Sequence, residues 1–420
     1  MSRACLIVVT VACALVAPAA ACAQLPLGAP PDPRYGPTPD IAPVAGQDRT
    51  PRVIRDCRRA GKPHGFPQAD PRGVSPAAPN PLVGQRWFVD PTEPQFRAYA
   101  RLRHQGHDRQ AALMWKTAAA PRFRWFGRFT RPHFTKKIHE YLNCVSALQP
   151  GSIPLMTVLR AQAKKCSPNY TGGGRKEDAR TRKWYRAFAH AVGDARVVIA
   201  FEPDSLGTLE CQKKSRRKAR LKLLRYGVGV LSKLPNATIY LEGGASDWEP
   251  ARRTARQLRY IGIRKVRGFM LNVTHYDWTG ENIKHGLKIS HLTGGKHFII
   301  STAFNGRGPV HIRHWVSRSR HIWRTLNVWC HPLKRGLGPF PTTQTVRPDK
   351  VDAYMYIGRP GYSAGSCNGG PLPVGSFWKE RALMFGAYAT NWLEPPRGTK
   401  NGFTTRFSPR ALGYCGARCT

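Results

Sequence analysis

Acidic charge is what this sequence has least of. Against 67 lysines and arginines stand 24 aspartates and glutamates, giving a formal net charge of +43 at pH 7. That imbalance leaves an anionic partner, such as nucleic acid or an acidic cell-wall or matrix polymer, or plain solubility as its explanation. The basic residues run along the whole chain, densest at 213–222, and no nucleic-acid motif accompanies them. A reader of nucleic acid is therefore disfavoured. Past the first two dozen residues no apolar run is long enough to cross a bilayer, so no membrane span is expected. Nor are there C-x-x-C pairs or clustered histidines; Cys415-x-x-x-Cys419 has no second pair beside it. Neither a metal centre nor any other cofactor is indicated.

What is present begins with Arg3, an apolar run at 5–16 and small residues from Ala19 to Ala23. This pattern predicts a secretory signal peptide over 1–24 and a secreted, extracellular protein. Lipidation at Cys22 is a weak alternative, because Ala19 is a poor residue three positions before it. Eleven cysteines occur, three of them in or beside the leader, and the remaining eight are an even number in an oxidising compartment. That argues for disulfides. Residues 25–80 are rich in proline, glycine, alanine and arginine without apolar periodicity, which predicts an extended, disordered segment. One large domain is expected over 81–397, followed by a tail at 398–420.

Within the domain, strand patterns at 153–159, 196–201, 238–241, 268–273, 297–301 and 351–357 alternate with helical patterns at 95–103, 176–192, 212–234, 249–261 and 377–393. Repeated alternation of this kind predicts a parallel sheet closed, or nearly closed, into a barrel. The strand at 196–201 runs straight into Glu202-Pro203-Asp204. Proline ends the strand, so the two acids sit at its carboxyl end, where catalytic side chains collect in parallel α/β folds.

The succession of segments resembles glycoside hydrolase family 6, the inverting cellobiohydrolases and endoglucanases, over roughly 80–395. In order, the matching pieces are Asn80-Pro-Leu with Trp87, Val198-Ile-Ala-Phe-Glu-Pro-Asp-Ser-Leu206, Tyr240-Leu-Glu-Gly-Gly-Ala-Ser-Asp-Trp248 and Gly268-Phe-Met-Leu-Asn-Val273. Asn305-Gly-Arg-Gly308, Val328-Trp-Cys330, Gly336-Leu-Gly338, Pro341-Thr-Thr343 and Val351-Asp-Ala-Tyr354 follow. The resemblance implies a distorted seven-stranded parallel β/α barrel with loops over a glycan cleft or tunnel, and a polysaccharide (β-glucan) substrate. It implies disulfides Cys166–Cys211 and Cys330–Cys367, and leaves the partners of Cys57, Cys144, Cys415 and Cys419 open.

Inverting hydrolysis needs a carboxylic acid to protonate the leaving oxygen and a base to activate water on the opposite face. By resemblance Asp204 is the proton donor. Glu242 stands at the place of a family aspartate and ranks first as base or relay, ahead of Glu202, Asp247 and Asp277. Trp87, Trp248 and Trp329 match stacking positions, Asn272 a hydroxyl-binding asparagine, and Arg359 replaces a sugar-contacting lysine. The chain departs from the family elsewhere. Gly365 and Ser363 stand where it keeps an aspartate and a glutamate, Lys165 where it keeps the aspartate thought to tune the acid, and Ala245 where it keeps a histidine. A nearby ammonium lowers an acid's pKa where a carboxylate raises it, so Lys165 would weaken Asp204 as a donor. Two readings follow: a glycoside hydrolase with a non-standard base, and a catalytically inactive carbohydrate-binding protein on the same frame.

Overall fold

The computed structural model describes Cys57 and residues 70–161, 173–317, 322–327, 330–395 and 403–405. Helices α1 (Pro94–His104) and α2 (Asp108–Ala118) precede the first strand of the main sheet, β1 (Arg124–Gly127). Then come α3 (Phe134–Leu148), β2 (Leu155–Leu159), α4 (Arg175–Val192), β3 (Val197–Phe201), α5 (Lys214–Leu231) and β4 (Ala237–Glu242). The series continues through α6 (Ala251–Ile261), β5 (Gly268–Leu271), α7 (Thr279–Leu292), β6 (His297–Ser301), β7 (Val351–Met355) and α8 (Lys379–Ala387). All seven strands are parallel, and each lies beside its neighbour in chain order. The two outer strands meet through a single parallel bridge, Arg122 with Tyr356, and through Trp125 Nε1 donating to Ile357 O at 2.8 Å. The expected distorted barrel is what forms.

The strand sequences are apolar throughout because both faces are buried. On β3, Val197, Ile199 and Phe201 face the helices, while Val198 and Ala200 fill the barrel interior with Tyr240, Met270 and Ile299. The helices are one-sided. In α4 the buried residues Thr181, Trp184, Tyr185, Phe188, Ala191 and Val192 recur at three- and four-residue steps. This helix carries Glu177 and Asp178 in its first turn, where the helix dipole favours acids, and stops at Gly193, whose φ of 60° is left-handed.

Several expectations need correcting. Order begins by Asp70, not near Pro81, and the segment at 70–80 lies against the amino-terminal end of the barrel. There Arg267 Nη1 donates to the carbonyls of Gly73 (3.1 Å) and Ala78 (2.9 Å), Lys296 Nζ to Val74 (2.5 Å) and Thr238 to Pro71 (2.5 Å). Asp352, fully buried with Arg267, ties this floor together: Arg267 Nη2 donates to it at 2.7 Å and Tyr240 OH at 2.6 Å. Backbone carbonyls make these contacts, so the segment carries no apolar period to be read. The tail supplies a strand, Phe403–Thr405, beside a hairpin of Val310–Ser317 and Ile322–Asn327 that the sequence patterns missed. Cys57 is bonded to Cys144, and Cys330 to Cys367 as implied. Cys211 is disulfide-bonded, and Cys166 lies outside the described residues, as do Cys415, Cys419 and the leader at 1–24. No helix among the described residues is long and apolar enough to cross a membrane.

Candidate functional site

The carboxyl ends of β3, β4 and β5 converge on one side of the barrel mouth. Past β3 the backbone takes left-handed φ values at Glu202 (57°) and Asp204 (64°), uncommon for residues with a Cβ. Hydrogen bonds hold this turn. The buried Glu202 carboxylate accepts from the amides of Arg160 (2.9 Å) and Ala161 (2.8 Å) and from Tyr185 OH (2.6 Å). It is thus a staple between the exits of β2 and β3, with its oxygens already occupied. Asp204, two residues on, is half-buried at the mouth, and Thr274 Oγ1 donates to its Oδ1 at 2.6 Å.

Glu242 ends β4 beside it. The Gly244 amide donates to Glu242 Oε1 at 2.7 Å, while Oε2 is buried without a protein partner. Burial, then the neighbouring Asp204 charge, push the Glu242 carboxyl well above the ordinary range. Burial raises Asp204 too, opposed by the Thr274 hydroxyl and by His275. Two neighbouring carboxyls are thus both raised, an arrangement that favours retaining a proton on the pair.

Asn272 follows β5 with φ of 65°; its amide nitrogen donates to Asp277 O and Ser301 O, both at 3.1 Å, and its Oδ1 has no protein partner. Asp277 itself is tied to Ser246 Oγ (2.5 Å) and the Trp278 amide (2.9 Å), and Asp247 to His275 Nδ1 (2.8 Å). Trp248 is half-exposed next to Gly207, with one face stacked on His275 at 4.7 Å between centroids. Of the residues expected at the site, Asp204, Glu242, Trp248 and Asn272 are therefore brought together.

Others are elsewhere. Trp87 pairs with Ile153, before the start of β2, and packs on the inner cluster. Its backbone is thus level with the start of β2, and its side chain is half-buried against that cluster. Arg359, beyond β7, lays its guanidinium over the Tyr362 ring at 3.6 Å and faces Glu93, which also accepts from Tyr362 OH. Burial pushes Glu93 up, but Arg122, Arg359 and Arg124 hold it below its ordinary value. Arg359 shares Glu93 with Arg122, which is the arginine ion-paired to it at 3.6 Å. Ser363 is buried, its hydroxyl bonded to the backbone of Gly365 at 3.1 Å. A Cβ on Gly365 would meet nothing within 4 Å, but its φ of 142° strains any other residue. Trp329 and Lys165 lie outside the described residues. His331 stands within 4.8 Å of Cys330 and Cys367, yet the two sulfurs are joined to each other, which leaves one ligand and no metal site there. Sequence reasoning missed Thr274, His275 and Trp125; none shows a local pattern, and each acquires its place from another strand.

Comparison with known proteins agrees with this geometry. The family model described as Glycosyl hydrolases family 6 matches residues 82–372. Endoglucanase A of Cellulomonas fimi is 30% identical over 307 residues, covering 73% of this chain and 61% of its own length. The chain thus spans somewhat under two thirds of that relative. Endoglucanase 1 of Streptomyces halstedii is 25% identical over 303 residues, with 70% and 87% covered. Among solved structures, the endoglucanase Cel6 of Mycobacterium tuberculosis, in complex with methyl-cellobiosyl-4-deoxy-4-thio-β-D-cellobioside, superposes with a TM-score of 0.62 at 31% identity over 73% of this chain and 98% of that one. Endoglucanase CEL6B of Humicola insolens, at 19% identity and a TM-score of 0.60, shares the fold.

Proposed function

The chain belongs to the glycosyl hydrolases of family 6, and from that premise we propose that it is a secreted enzyme hydrolysing β-1,4-glucan with inversion. The observation that carries this is the Asp204–Glu242 pair at the mouth, two carboxyls whose shared burial favours the protonated form. Asp204 gives its proton to the leaving glycosidic oxygen. Burial and the neighbouring Asp204 charge push Glu242 well above the ordinary carboxylate range, which suits it to a relay role beside Asp204 rather than to that of the resting base. Its part is to hold a proton beside Asp204, the task the family aspartate would have at Lys165. Trp248 is half-exposed, with Gly207 against its ring and His275 stacked on it, so it offers an edge to a sugar. The buried Asn272 Oδ1 lacks a protein partner, which a sugar hydroxyl would supply. With Glu202 occupied and no carboxylate at Gly365, the attacking water passes its proton through a second water to bulk solvent.

The test is reducing-end release from a panel of β-glucans, wild type beside Asp204→Asn. Activity that falls by about 10²–10⁴ in the variant supports the assignment. One observation favours a second function, glycan binding without catalysis: the backbone at Gly365 admits no strain-free carboxylate. No release by wild type, with glycan binding abolished by Trp329→Ala, would establish that alternative. The uncompensated basic surface would then serve adhesion to an anionic wall or matrix polymer, an attraction that must weaken as salt rises.

A further inference from the structure

Ala245 leaves the barrel mouth without the histidine that the resemblance leads one to expect, but an imidazole arrives from the neighbouring strand. His275, four residues past the end of β5, has Nδ1 2.8 Å from Asp247 Oδ1. Its ring stacks on Trp248 with an interplanar angle of 20°. The residue before it, Thr274, is the one hydrogen-bonded to Asp204. A histidine–aspartate pair stacked on a tryptophan therefore directly follows the residue that hydrogen-bonds the acid.

We propose that His275, oriented by Asp247, is a positioning residue that governs the protonation of Asp204 and stabilises its carboxylate once the proton has moved to the leaving oxygen. This rests on Asp204 being the proton donor. An ionised carboxylate only accepts hydrogen bonds, so Nδ1 carries a proton and any second proton goes to Nε2. The groups facing the ring are Asp247 and Asp277, Asp204 from β3 with Glu242 beside it, and His285 of α7 beyond Asp247. Burial alone would strip the imidazole of charge, but Asp247, Asp204 and Asp277 outweigh it and favour the imidazolium. Reciprocally, that cation favours ionised Asp204. Each donation breaks the Asp204 O–H bond, forms one on the leaving oxygen and leaves a carboxylate opposite a cation.

The experiment is an NMR titration of the histidines in the full chain, with the His275 signal identified by its loss in His275→Asn. The His275 midpoint should fall in Asp204→Asn and in Asp247→Asn, because each removes an attractive charge. A midpoint unmoved by Asp204→Asn overturns the proposal. In kinetics, His275→Asn should move the alkaline limb of the kcat/KM profile upward while lowering kcat by about tenfold. A lower kcat with both limbs in place would mean a merely structural ring and would also overturn it. Wild-type protein inert on every β-glucan would sink the hydrolase assignment instead, and the NMR coupling would still decide whether His275 and Asp204 titrate together.

Discussion

Thr274 Oγ1 donates a hydrogen bond to Asp204 Oδ1 at 2.6 Å, joining the exit of β5 to the exit of β3. The bond stabilises the ionised form of a carboxyl that burial pushes toward the protonated form. The acid is therefore poised between opposing influences supplied by different strands, and its pH response is open to test.

Thr274→Val removes that donor. Asp204 should then hold its proton to higher pH, moving the alkaline limb of kcat/KM upward. Activity needs protonated Asp204, so the wild-type rate should fall as pH rises through its raised pKa. A pH–rate profile of both proteins measures this, and an alkaline limb that moves down would contradict it.

Glu249, buried behind Glu242, is pushed up to about 7 from an ordinary value of 4.5, by burial first and also by Glu210. A carboxyl raised on folding makes the native state bind more protons, so stability is lost as pH climbs from the unfolded to the folded pKa. Glu249→Gln should leave stability near pH 4.5 little changed and raise it at pH 8 by roughly 3 kcal/mol. Urea unfolding at the two pH values is the check.

Asp352→Asn would leave Arg267, fully buried, without its counter-charge. The expected loss at pH 7 is about 3–5 kcal/mol. Burial pushes Asp352 up, but Arg267 and His297 hold it below the ordinary carboxylate value. Its contribution is thus complete above that range and disappears as pH falls through the folded pKa. Acid unfolding followed by circular dichroism should be less steep in the variant than in wild type.

The Cys57–Cys144 bond closes a loop with a sequence separation of 87. Loop-closure arithmetic assigns such a bond about 4–5 kcal/mol. The double variant Cys57→Ser with Cys144→Ser should unfold at lower denaturant by a corresponding amount, while retaining glycan binding at low temperature.

The sequence by itself determined the central strands, the acid at the end of β3 and the barrel they imply. Burial on both faces forces a continuous apolar run, and proline ends it at a readable place. One-sided helices such as α4 were legible for the same local reason. Tertiary structure alone decided the floor at 70–80 and the Cys57–Cys144 pairing. It also decided that Glu202 is a staple, that Arg359 lies over the Tyr362 ring, and that His275 follows the residue bonded to Asp204. Each of these depends on groups far apart in the chain: Arg267 reaches Asp352 across 85 positions and Thr274 reaches Asp204 across 70. Periodicity records which way a residue faces within its own element. The hydrogen bonds and charges that set the chemistry arise only when the strand ends converge.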